Sequence, residues 1–193
     1  MFGKLGDLAR LCGESCLYFV ARFSMRFSMR FAINYTKMLV KRRESQINLG
    51  VLGRSLSCNP LMPRDFSELQ NVSALPNVSA NPIATIKSES DLHALNDAQS
   101  KSAQNGVIIV DTALQKDISL VANARHCTAF LIMHKDIFIS KYQILESLVY
   151  GADCVVLSSD ILSDESLETL QNYARHLGLS VAIEPNFVIT KPL

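Results

Sequence analysis

Apolar positions fall into two regimes along this chain. From about Pro82 to Glu184, short aliphatic and β-branched runs alternate with longer polar stretches in which leucines recur at helical spacing. This rhythm predicts strands at Ile83 to Lys87, Val107 to Asp111, Ala129 to His134, Cys154 to Leu157 and Leu179 to Glu184. Between them it predicts helices at Asp91 to Gln104, Leu114 to Arg125 and Lys141 to Gly151, and another opening at Ser163. Ser163 is an N-cap with acidic residues in the turn that follows, and Gly178 is the stop. Strands alternating with helices make a parallel sheet, because parallel neighbours need a crossover. Periodicity leaves a closed barrel and an open doubly wound sheet equally open.

Upstream the pattern differs. Leu11 to Val20 is apolar but interrupted by Glu14, and it is about half of the roughly 20 residues needed to cross a bilayer. Arg22-Phe23-Ser24-Met25 then repeats as Arg26-Phe27-Ser28-Met29 before Arg30-Phe31, which on a helix sets a phenylalanine stripe beside an arginine stripe. Ala32 to Leu49 reads as a helix, with Gly50 and Gly53 as stops. Asn59 to Asn81 reads as a linker with a helical stretch around Phe66 to Gln70. The organisation expected is a basic extension at 1–31, a helix and linker at 32–81, and a βα domain at 82–193.

Composition adds one asymmetry. Net charge is +1 over 193 residues, which gives no bulk reason to expect nucleic acid. Yet Met1 to Arg43 carries nine basic against two acidic residues, and the remainder ten against sixteen. The extension could therefore touch an anionic membrane through residues 11–31, or imitate a transit peptide. The plainer reading is an extension ahead of the true domain start. Five scattered cysteines point to reduced thiols in a cytoplasmic protein rather than to staples. Cys12 and Cys16 share a helix face, but no second pair has zinc-ligand spacing, so no metal is expected. No glycine-rich fingerprint follows any strand, so no dinucleotide or nucleoside triphosphate is expected.

In barrels and open sheets alike, chemistry sits at the C-terminal ends of the strands. The polar residues there are Lys87, Asp111, Lys135 with Asp136, Ser158 with Ser159, and Glu184. A lysine on one strand and a carboxylate on another can serve as general acid and base, and equally as a structural ion pair.

The run Lys135-Asp136-Ile137-Phe138-Ile139-Ser140-Lys141-Tyr142-Gln143-Ile144 resembles the Lys-Asp-Phe-Ile-Ile-Asp-Pro-Tyr-Gln-Ile signature of the indole-3-glycerol phosphate synthase family. The likeness runs without a gap through Tyr150-Gly151-Ala152-Asp153 and Tyr173-Ala174-Arg175-His176-Leu177-Gly178 to Glu184. Ile83 to Lys87 stands where the family has Ile-Ala-Glu-Val-Lys, and Met62 to Phe66 resembles its Pro-Arg-Asp-Phe lead-in. The helix around Lys37 to Glu44 resembles the one that crosses the family's barrel mouth.

The resemblance implies a partial (β/α)8 barrel of about five βα units behind a helical extension, and a cofactor-free carbon-carbon lyase of tryptophan biosynthesis. Such an enzyme closes the indole ring of 1-(2-carboxyphenylamino)-1-deoxyribulose 5-phosphate with loss of carbon dioxide and water. It would use Lys135 as general acid, Lys87 as a second cation and Glu184 as the carboxylate assisting dehydration. Several positions depart from the family. Thr85 replaces a glutamate, Ile137 a phenylalanine, and the loop after Asp111 lacks a Phe-Phe-x-Gly-Ser segment. Glu184 is followed at once by Pro185 and a short tail, so a truncated barrel is expected, without the strands that hold phosphate. Two open sheet edges and an exposed half-interior would then favour self-association or a partner chain. The competing expectation is a catalytically inactive remnant or interaction module of the same family. Phosphoribosylanthranilate isomerase is a rival barrel, but its cysteine and aspartate pair has no matching placement.

Overall fold

Apolar residues at both parities of the predicted strands require a sheet covered on both faces. The computed structural model, which describes residues 28–64, 84–99, 106–185 and 188–190, has such a sheet. Its strands are β1 (Ala84–Ile86), β2 (Val107–Asp111), β3 (Leu131–Lys135), β4 (Cys154–Ser158), β5 (Ser180–Glu184) and β6 (Val188–Thr190), lying in that order. The first five run parallel. Helices α3 (Glu89–Gln99), α4 (Ser119–Cys127), α5 (Lys141–Val149) and α6 (Asp164–His176) link them in turn. This is the alternation of a (β/α)8 barrel carried through five strands.

β6 is a departure from expectation. It folds back antiparallel on β5, pairing Val181 with Thr190, Ala182 with Ile189 and Ile183 with Val188. The outer edge of β5 is therefore paired, and among the described residues the edge strands of the sheet are β1 and β6. The inner face is also less exposed than expected. Ile109, Met133, Cys154, Val156 and Ala182 form one cluster there, none more than 7% exposed. Side chains of opposite parity, including Ile108, Val110, Ile132, Val155, Leu157 and Val181, pack under the helices.

The chain separates into two compact units, residues up to Leu39 and residues from Val40. Helix α1 occupies 28–46. In the first unit the α1 rings of Phe31 and Tyr35 stack 6.5 Å apart, and the buried Thr36 hydroxyl donates to Ala32 O at 2.8 Å. Most of the Arg/Phe repeat lies outside the described residues, as do Cys12, Cys16 and the stretch Phe66 to Gln70. Of the described residues, no helix is long and apolar enough to cross a membrane.

In the second unit Gly50 and Gly53 do not stop a helix. Asn48 caps a new one, α2 (Leu49–Ser55), its side chain accepting from Val51 N at 2.9 Å. Both glycines lie inside α2, which packs on α5, and a Cβ added at Gly53 would meet Leu145 Cδ2 at an ordinary contact distance of 3.9 Å. Val40, Leu52, Tyr142 and Leu145 fill that contact. Covered by the sheet on one side and α2 on the other, α5 is buried at every position from Tyr142 to Leu148. The predicted helix start at Leu114 is also corrected. The chain turns through Lys116 at a φ of 57°, leaves Leu114 90% exposed, and begins α4 at Ser119, where Asp117 Oδ1 accepts from Ser119 N at 3.0 Å.

Candidate active site

Register decides which strand-end side chains can meet. Asp111 lies opposite Lys135, Lys135 opposite Val156, and Ser158 opposite Glu184. Lys135 and Glu184 therefore share the inner face across the intervening strand β4, and Lys135 Nζ forms an ion pair with Glu184 Oε1. The lysine side chain is 34% exposed and the glutamate 20%, so the pair is open to a solute above and floored by the apolar inner cluster below. Ser159 fixes the end of β5, its N–H and hydroxyl donating to Glu184 O at 3.2 and 2.8 Å.

Lys87 is placed differently. It is exposed just beyond β1, and its backbone N–H donates to Asp91 Oδ2 at 2.8 Å. Asp91 also accepts from Ser88 N at 2.9 Å, while Ser88 Oγ accepts from Asp91 N at 3.3 Å; this reciprocal capping box opens α3 earlier than predicted. Hydrogen bonds from the Lys87 backbone and the Ser88 side chain hold the Asp91 carboxyl below its ordinary range, and the Lys87 charge adds to this. The structure thus brings Lys135 and Glu184 together, while the bond from Lys87 to the α3 cap is made by its backbone N–H. Thr85 is exposed on β1, in register with Ile109.

The other candidates are engaged locally. Asp111 Oδ1 accepts from Ala113 N at 3.0 Å. Asp136 pairs with Lys116 Nζ, both side chains 6% exposed, and accepts from Ile137 N at 2.6 Å. Among the described residues no three His, Cys, Asp or Glu side chains converge as a metal site would require.

Three arrangements escaped sequence reasoning. Lys116 was hidden in a loop read as helix. His134 looked like one more apolar-face position of a strand. It is 1% exposed and bonded at both ring nitrogens, to Thr112 Oγ1 and Ser147 Oγ, each at 2.8 Å. Asp153, fully buried, binds Arg64 Nη2 and Arg125 Nη1, both at 2.7 Å, and accepts from the N–H of Ile132 at 2.8 Å. Only the Pro-Arg-Asp-Phe likeness around Arg64 hinted at this clamp. A cavity of about 500 Å³ lies elsewhere, among α2, α4 and α5, lined by Val51, Leu52, Leu61, Ala122 and Val149.

Residues 72–187 match the family model described as indole-3-glycerol phosphate synthase. The chain is 32% identical over 161 residues to the indole-3-glycerol phosphate synthase of Campylobacter hominis, an alignment covering 77% of this chain and 61% of the relative. It is 34% identical over 167 residues to that of Campylobacter curvus, with 79% and 62% covered. The protein of the same name from Sulfurimonas denitrificans is 33% identical over 165 residues, again with 79% and 62% covered. The chain thus spans about three fifths of the length of these curated relatives. Matched by the family model over more than half its length, with the Lys135 motif inside the match, the chain belongs to the indole-3-glycerol phosphate synthase family.

Proposed function

We propose that Lys135 and Glu184 form the acid–base pair of an indole-3-glycerol phosphate synthase reaction on 1-(2-carboxyphenylamino)-1-deoxyribulose 5-phosphate. The observation that carries this reading is their ion pair at the C-terminal ends of β3 and β5, where barrel chemistry sits. The Lys135 ammonium donates to the substrate carbonyl as the aromatic ring carbon attacks it. The new carbon-carbon bond forms, the carboxylate leaves as carbon dioxide with its electron pair returned to the ring, and the hydroxyl departs as water on a second proton from Lys135, recharged from solvent, while the adjacent carbon gives up its proton. Glu184 takes the proton released in that dehydration. A cation at the site also draws in an anionic substrate, and preorganised charge of this kind is a large part of catalysis in general. Lys87, exposed just beyond β1, serves as the second cation, its ammonium meeting the substrate carboxylate. No cofactor enters the scheme, and we place it in the cytoplasm.

The purified chain is incubated with the carboxyphenylamino substrate while indole fluorescence is followed, with Lys135→Ala as control. Turnover that disappears in the control supports the reading. Two observations favour a non-catalytic relative instead: Thr85 stands where the family has a glutamate, and β6 occupies the β5 edge antiparallel. Folded protein without turnover decides for that second reading.

A further inference from the structure

Resting on that reading of Lys135, we propose that the buried chain Thr112–His134–Ser147 is a positioning device, which holds the His134 ring in its Nδ1–H form and so fixes β3 immediately ahead of the lysine. The proton directions follow from counting. Ser147 Oγ carries one hydrogen and gives it to Gln143 O at 2.7 Å, so towards His134 it can only accept. The 2.8 Å contact is therefore a donation from His134 Nδ1–H. A neutral imidazole with its proton on Nδ1 has an acceptor at Nε2, which takes the Thr112 hydroxyl proton at 2.8 Å. Burial favours the neutral ring, pushing its pKa down to about 4.

The chain grips Lys135 from both sides. Thr112 bonds the His134 ring through its hydroxyl and Lys135 O through its backbone N–H, the latter at 2.9 Å. Gln143, whose carbonyl ends the chain, holds the loop beyond the lysine: its side chain accepts from Ile139 N and donates to Ile137 O, each at 2.9 Å. Phe138 from the same loop packs edge-on against the His134 ring, centroids 5.3 Å apart. A long lysine acting as an acid needs its backbone held to a fraction of an ångström, and every member of this network lies within one strand, loop or helix turn of it.

The test uses the full chain labelled with 15N-histidine, and with lysines reductively methylated with 13C, the Lys135 signal being assigned by Lys135→Arg. The unmutated chain should show a neutral His134 with Nδ1 protonated. Thr112→Val should change that signature and move the Lys135 signal. It should also lower kcat by between about tenfold and a hundredfold with KM changed less than about threefold, and Thr112→Ser should restore all three. An Nε2–H or doubly protonated His134 in the unmutated chain overturns the proposal, whether or not Thr112→Val folds. So does an unmoved Lys135 signal in a folded Thr112→Val chain. A chain without turnover refutes the functional reading alone, since both spectroscopic arms still decide this one.

Discussion

Removing the Asp153 carboxylate is the most demanding stability test the structure offers. Asp153→Ala would leave the Ile132 N–H without its partner inside the sheet, and would strip two guanidinium groups of their shared counterion. Arg125 matters most, since its side chain is 10% exposed; Arg64 is 27% exposed, and solvent screening discounts its share. Breaking a buried pair from one side costs about 3–5 kcal/mol, and an orphaned buried N–H about 1–3 kcal/mol. Because these share one site they do not add, and a loss of about 4 kcal/mol is expected. That is a large part of the roughly 5–15 kcal/mol by which domains are stable. Urea unfolding followed by far-UV circular dichroism should show the midpoint fall with an unchanged slope, and Asp153→Asn, which keeps an acceptor for Ile132, should lose less. A midpoint for Asp153→Ala within about 1 kcal/mol of the unmutated chain would refute the assignment of Asp153 as a clamp.

Gly151 adopts a φ of +91°, and a Cβ there would stand 2.8 Å from Arg125 Cγ, so Gly151→Ala should cost about 1–3 kcal/mol by thermal melting. His134 has a folded pKa near 4 against an ordinary 6.5, mainly through burial. Its contribution is therefore complete above about pH 6.5 and is lost as pH falls towards 4, amounting to about 3 kcal/mol; His134→Gln should flatten that acid limb of the stability profile. Burial pushes the Cys154 thiol far up, while Cys58 and Cys127 are exposed, so peptide mapping after brief alkylation of native protein should find label on the latter two and on Cys154 only after denaturation.

Strand alternation was legible because each strand is a short apolar run between polar helices, and Val107–Asp111 emerged with its predicted limits. Lys135 and Glu184 were legible as strand ends, since inner-face parity follows from counting residues. What could not be read depended on distant partners. Asp153 meets Arg64 across 89 positions and Arg125 across 28, separations to which no local pattern refers. Lys87 was legible as a strand end, but the Ser88 and Asp91 capping box that opens α3 immediately after it, earlier than predicted, was not. Gly50 and Gly53 looked like stops because the feature that starts a second helix around them is the Asn48 side-chain cap, which the glycine positions alone do not signal.

The complete burial of α5 from Tyr142 to Leu148 sets a timescale. A helix with no solvent-facing side cannot fray sideways, so its amides should exchange with deuterium mainly through opening of the whole unit, at the slow end of the protection range. The loop that follows Lys135 is tethered to this helix through the Gln143 bonds to Ile137 and Ile139. Its own local openings should be correspondingly rare, and denaturant that speeds exchange in α5 should release the lysine loop at the same concentration.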